Sequence, residues 1–183
     1  MIPILANAGV PMIFLALPPM IILLIPIILI EGWSSIGIIN GIDRKQIWSG
    51  VIRANLFSTF IAWPVAWFLM VVLQMIAGGG AMYGLDSPLK LILAVTIQAP
   101  WLIPYEAELY WMIPVAMFVL LFPFFFVSVF AERYILLKLW KDTSNTSIIR
   151  FSWKSHLYSY LFLMIVVALF ILYSVMTEHN QSG

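Results

Sequence analysis

Residues 111–131 read WMIPVAMFVLLFPFFFVSVFA, from Trp111 to Ala131, without one Asp, Glu, Lys, Arg or His. A bilayer core is about 30 Å thick, and a helix needs about 20 consecutive apolar residues to cross it. Three further windows meet the same requirement: Val10 to Ile30, Leu56 to Ile76 and Leu157 to Thr177. The sequence therefore predicts an all-α integral membrane protein with four transmembrane helices. Composition agrees, because 63% of the 183 residues are apolar and 9% charged, which excludes an ordinary soluble domain. The first window does not read as a cleaved signal peptide: residues 1–9 carry no basic group, the apolar run is too long, and no small-residue cleavage site follows.

Outward from these windows, the charged residues set the direction. Arg44, Lys45 and Arg53 lie between the first two spans, and Arg133, Lys138, Lys141, Arg150 and Lys154 between the last two, leaving Lys90 alone on the other side. Basic residues accumulate on the cytoplasmic side, so both termini are expected to face away from the cytoplasm. The expected organisation is a first hairpin at 10–76, an outer segment at 77–110, a second hairpin at 111–177 and an outer tail at 178–183. A formal charge of +1 gives no excess that would bring the chain to nucleic acid. With no Cys, the chain offers no disulfide, thiolate metal site or iron–sulfur ligand.

The outer segment holds Gly78-Gly79-Gly80 and Asp86-Ser87-Pro88 before an apolar run from Leu89 to Pro104 that contains Lys90. That run is too short to span and reads as an interfacial or re-entrant segment. Trp101, Tyr105, Tyr110 and Trp111 are expected to form an aromatic belt at the outer headgroup level.

A shift of 101 residues carries the first two windows onto the last two. It also carries Glu31 onto Glu132, Arg53 onto Lys154, Asn55 onto His156 and Ser58 onto Ser159. Matching hairpins of one orientation would be a parallel duplication about an axis along the membrane normal. Asp43 with Gln46 three residues on suggests an N-cap, so that the second helix starts at the turn and extends below the membrane.

The polar residues concentrate at one level: Glu31, Arg53, Asn55, Ser58 and Thr59 in the first hairpin, Glu132, Lys154, His156 and Ser159 in the second. A carboxylate at the membrane boundary is costly unless paired, so Glu31 with Arg53, and Glu132 with Lys154 or His156, are the expected contacts. Read structurally, these links hold each hairpin closed. Read functionally, Glu31, Glu132 and His156 are a proton or ion relay, although no ionisable group continues it through the spans.

Other chemistry finds little support. His156 and His179 fall on opposite sides of the expected bilayer, which excludes a haem held by both. The outer acids Asp86, Glu106, Glu108 and Glu178 match no metal motif with His179, and read as solvated charges. No G-x-S-x-G, H-E-x-x-H or phosphate-loop motif occurs, and the spans contain no Asp for intramembrane proteolysis. No catalytic, cofactor-binding or metal-ligating residue is therefore assigned, and an enzyme is not expected. Pro11, Pro18, Pro19, Pro26, Pro64, Pro114 and Pro123 are expected to kink the first three spans, leaving the fourth straightest. Trp63 and Trp67, four apart, form one bulky ridge suited, if outward, to another subunit, lipid or a hydrophobic cofactor.

The stretch Ile27-Ile28-Leu29-Ile30-Glu31, followed after a turn by Asn55-Leu56-Phe57-Ser58-Thr59-Phe60-Ile61-Ala62-Trp63, resembles the filament-integrity membrane proteins of cyanobacteria, the FraC type. The resemblance covers residues 26–67, and His156 at the position matching Asn55 departs from the pattern. That family is associated with cell–cell septal connections, so the resemblance implies a membrane scaffold. The sequence as a whole points to a non-catalytic subunit or scaffold of a larger assembly in a bacterial plasma or internal membrane, contacting lipid and other membrane subunits. A small transporter or channel with a pathway between the hairpins is the alternative.

Overall fold

The computed structural model describes residues 10–78, 83–102 and 108–182. Four helical stretches are long and apolar enough to cross a membrane: Met12–Ser34, Arg44–Ala77, Leu109–Leu139 and Asn145–Glu178. Each expected window lies on one of them, except that Val10 and Pro11 stay out of the first helix. The elements in order are β1 (Val10–Pro11), α1 (Met12–Ser34), α2 (Arg44–Phe57), a π-turn (Ser58–Ala62), α3 (Trp63–Gly78), α4 (Pro88–Thr96), β2 (Trp101–Leu102), α5 (Leu109–Leu139) and α6 (Asn145–Ser182). At 1.5 Å per residue α6 is about 57 Å long, well beyond the hydrocarbon thickness, so part of it must lie outside the apolar layer.

The chain divides into two compact units, one drawing on residues 18–66 and 123–162, the other on the remainder. The first, here the polar unit, contains both turns at the basic ends of the helices. Gly37 and Gly41 adopt φ of 78° and 88°, a left-handed backbone that favours glycine, and they turn the chain from α1 toward α2. Asp43 then stands at the N-cap of α2 in extended conformation, as its spacing to Gln46 suggests, but its side chain makes no capping hydrogen bond. At the second turn the Ser147 amide donates to the Ser144 hydroxyl at 3.2 Å, so a serine caps α6.

Beyond the caps, α2 and α6 bury matching sets of positions. Ile47, Val51, Ala54, Asn55, Ser58 and Thr59 are buried on one arm, and Ile148, Ser152, Ser155, His156, Ser159 and Tyr160 on the other, each pair 101 residues apart. Ile39, Ile47, Val51, Ala54, Leu136, Trp140, Ile148 and Phe151 form the apolar core of this end. Around it Arg44, Lys45, Arg53, Lys138, Lys141, Arg150 and Lys154 are exposed. Buried apolar stripes backed by charge are the pattern of helices in water, so here the hydrophobic effect contributes as it does in soluble proteins.

Gly50 lies directly against the Trp140 indole, where an added methyl would overlap the ring. Gly50→Ala is therefore expected to overpack this core and destabilise the protein by about 1 to 3 kcal/mol, measured by denaturant unfolding in detergent. An unchanged unfolding midpoint would contradict the packing.

Proline acts locally. α1 runs as one helix through Pro18, Pro19 and Pro26. Pro64 instead follows the π-turn, in which the Trp63 amide reaches back five residues to the Ser58 carbonyl. Pro64 has no amide proton and its ring would strike the carbonyl four residues back, which the wider turn avoids.

In the other unit, Val10 and Pro11 pair antiparallel with Leu102 and Trp101. The Met12 amide donates to the Pro100 carbonyl at 2.9 Å, and the Trp67 indole donates to the same oxygen at 2.8 Å. The apolar run expected at 89–104 is thus subdivided. Ser87 caps α4 with Pro88 in its first turn, the helix ends at Thr96, and a turn leads to the pairing with β1. Ala94, Val95 and Met112 form a small core there, with Trp111 packed against it. Asp86 is exposed and bonds the Lys90 ammonium at 2.8 Å, which holds its carboxyl below the usual carboxylate range. That small contribution is present above the ordinary carboxylate pKa and is lost as pH falls through the lowered value.

One expectation about aromatic residues is corrected. Trp63 is 4% exposed and packs on Phe124 with ring centroids 4.2 Å apart, while Trp67 is half-buried against Trp101 at 5.6 Å. These two rings therefore do not form an outward ridge for a partner or a hydrophobic cofactor. A four-residue spacing places them on one face, yet burial decides its direction, and an indole N–H gains most where it finds an acceptor such as the Pro100 carbonyl. Of the expected belt, Trp101 is tied to Trp67, Tyr110 is exposed, Trp111 donates to the Glu108 carboxylate, and Tyr105 lies outside the described residues.

Candidate functional site

Six of the nine residues expected at the polar level meet in the polar unit: Glu31 from α1, Asn55 from α2, Ser58 from the π-turn, Glu132 from α5, and His156 and Ser159 from α6. All are buried, with Glu31 and His156 at 1% exposure and Glu132 at 3%. Each carboxylate is held by neutral donors. Glu31 accepts from Asn55 Nδ2 at 2.7 Å and from the Ser159 hydroxyl at 2.8 Å. Glu132 accepts from the Ser58 hydroxyl at 2.6 Å and more weakly from Asn55 Nδ2 at 3.3 Å. One amide nitrogen thus touches both carboxylates.

His156 completes the cluster. Its Nδ1 lies 2.8 Å from the Ser152 carbonyl, which can only accept, so Nδ1 carries a proton. Its Nε2 lies 3.4 Å from Glu132 Oε1 and makes no hydrogen bond. In a neutral imidazole of that tautomer Nε2 is a bare lone pair beside a carboxylate oxygen. Two acceptors do not face each other in a buried site without a cation between them, either a proton on one of them or a metal ion. The Glu31, Glu132 and His156 ligand atoms lie within 4.8 Å of one another.

Arg53 and Lys154 do not join them. Both are exposed, and among the described residues neither bonds a carboxylate of the cluster; Lys154 instead lies 5.8 Å over the Tyr158 ring. The expected Glu31–Arg53 and Glu132–Lys154 pairs are therefore corrected, leaving His156 as the partner of Glu132. The reason is helical phase. Residues 53 and 55 are about 200° apart around a helix, so burying the face of Asn55 and Ser58 turns Arg53 outward, and Lys154 stands in the same relation to His156. A long basic side chain gains little by reaching inward when water is available to it.

This correction is measurable with two double-mutant cycles. Glu31→Gln with Arg53→Ala should be additive in unfolding free energy, since the two side chains share no contact. Glu31→Gln with Ser159→Ala should instead couple, by about 0.5 to 2 kcal/mol. Coupling only in the first cycle would restore the charge pair.

The sequence missed the supporting residues. Ser152 fixes the imidazole through its carbonyl, and Tyr160 donates to Ser128 at 3.0 Å beside the cluster. Ser152 and Tyr160 stand four residues either side of His156, the interval that places residues on one helix face. The three titratable members, at 31, 132 and 156, match no short motif, so no ligand spacing marks them. The acids assigned to the outer side stay dispersed: Asp86 binds Lys90, Glu108 binds Trp111, and Glu106 and the His179 side chain lie outside the described residues.

Family models, curated proteins and solved structures offer no match to this chain.

Proposed function

We propose that this chain is a small membrane transporter that takes a cation into the cluster of Glu31, Glu132 and His156. One observation carries the reading: two buried carboxylates and an imidazole face one another, and no Lys or Arg among the described residues balances them. A purely structural link between helices would be made more cheaply by neutral Asn and Ser, because an unbalanced buried carboxylate is strongly penalised. Four helices contribute to the site, as in bundles that bind ions in their cores.

The duplication is part of this proposal. Two cross-contacts support it, because Ser58 donates to Glu132 as Ser159 donates to Glu31. Asn55 against Glu31 likewise parallels His156 against Glu132. A pathway between two like hairpins is the geometry such a pair would provide. The test is cation flux into proteoliposomes, driven by a proton or divalent-cation gradient. Flux that disappears in Glu31→Gln or Glu132→Gln supports transport, and no flux of either kind refutes it.

A scaffold or accessory subunit is the second reading, and it is what the filament-integrity resemblance implies. Its support is the bare surface of α6, where Leu161, Ile165, Leu169, Leu172, Tyr173 and Met176 are all exposed. Lipid alone would cover such a surface, so a co-purifying membrane polypeptide is what this reading needs. Crosslinking in native membranes followed by mass spectrometry would find it.

The orientation, with both termini outside the cytoplasm of a bacterial plasma or internal membrane, rests on the basic-residue count. Exposed Asn40 and Ser144 lie at the two turns, and exposed Asp86 and Asn180 lie elsewhere. Single cysteines at 86 and 180 should react with an impermeant thiol reagent on intact cells, and those at 40 and 144 should be protected. The reverse labelling would invert the orientation.

A further inference from the structure

We infer that Glu31, Glu132 and His156 form a binding site for a divalent first-row transition-metal ion, with zinc as the representative. The inference rests on the cation-transport reading and names its substrate class. Three observations carry it. His156 Nε2 is buried, lacks a hydrogen-bond partner among the described residues and lies 3.4 Å from Glu132 Oε1. Its separation from that oxygen, 3.4 Å, is the spacing of two ligands on one tetrahedral ion, about 3.4 Å for metal–ligand bonds of about 2.1 Å. The imidazole is also oriented from behind, Nδ1–H donating to the Ser152 carbonyl at 2.8 Å, which is how metal-bound histidines are held.

Charge and ligand type narrow the ion. Two carboxylates and a neutral imidazole carry two negative charges, which a divalent ion neutralises, so the loaded site has no net charge to desolvate. An imidazole ligand suits zinc, iron, cobalt or nickel, whereas magnesium and calcium prefer all-oxygen shells. Ser58 and Ser159 hold the carboxylates as outer partners, each donating to the Glu of the other half. A water molecule would supply the fourth ligand, and the replaceable position is what a carrier requires to load and release its ion.

The experiment uses the full chain in detergent, stripped with chelator and then given Zn²⁺ or Co²⁺ alone. One zinc per chain should remain after desalting, X-ray absorption of the zinc-loaded wild type should show an imidazole in the first shell, and Co²⁺ should give the visible absorption of a four-coordinate site. His156→Ala should weaken binding at least 10-fold, as losses at metal sites of this kind do, while the exposed Asp86→Asn should not. Substoichiometric zinc, an all-oxygen shell in the wild type, or binding unaffected by both His156→Ala and Glu132→Gln would overturn the inference. The wild-type spectrum decides the matter even if the variants fail to fold. Glu31-dependent proton flux in chelator-treated proteoliposomes, with no zinc bound, would overturn the metal site and leave transport standing. Zinc bound through the imidazole with no flux of any cation would uphold the site and overturn transport.

Discussion

Asn55→Leu is expected to destabilise the metal-free protein by on the order of 3 kcal/mol, measured by reversible unfolding in mixed detergent. Asn55 Nδ2 is, among the described residues, the one side-chain nitrogen within hydrogen-bond distance of both carboxylates, at 2.7 Å from Glu31 and 3.3 Å from Glu132. A hydrogen bond to a charged group contributes about 1.5 to 3 kcal/mol, and an acceptor left buried without its donor costs the desolvation as well. Leu keeps the branching and the heavy-atom count of Asn while removing its amide group, so a cavity does not confuse the result. Glu31→Gln in the same background should recover part of the loss, because a neutral amide tolerates the missing donor better than a carboxylate does. If Asn55→Leu were neutral within a few tenths of a kcal/mol, the carboxylates would not depend on Asn55 and the cluster geometry would be wrong.

Phe151→Ala is expected to cost about 3 to 5 kcal/mol, the range for deleting a large core side chain. Phe151 is 1% exposed and packs 5.4 Å from Trp140 within the core that also contains Ile47 and Ile148. The contrast is Phe126, 51% exposed on α5, where truncation leaves no cavity inside the protein. Phe126→Ala should change stability by less than about 0.5 kcal/mol. Equal effects at the two positions would mean that the basic end of the molecule lacks a packed core.

The spans were legible because a helix in lipid must be apolar along its whole length, a demand that leaves long uncharged windows. α4 was foreshadowed only as an apolar run, although Ser87 and Pro88 together are a helix-start signal that places its beginning. The pairing of Val10 and Pro11 with Leu102 and Trp101 was invisible, since two residues of strand have no period. The members of the cluster were legible as a level in the membrane, but their partners were misassigned at Arg53 and Lys154. There the rule that opposite charges pair competed with helical phase, and phase won. The information was present in the sequence, because Asn55, Ser58 and Thr59 already shared a face that excludes Arg53. What no local reading supplies is that Glu31 and Glu132, 101 residues apart, would meet across a histidine.

The turn at Ser58–Ala62 makes the two arms unequal. α6 continues as an ordinary helix past Ser159, whereas the arm bearing Pro64 accommodates an additional residue in one turn. One residue is about 100° of rotation, so the counterparts of the proposed duplication stay in phase up to Ser58 and Ser159 and fall out of phase beyond them. The two halves of that proposed duplication thereby present dissimilar faces to their surroundings. Mirror-image mutations placed above that level should not give mirror-image phenotypes.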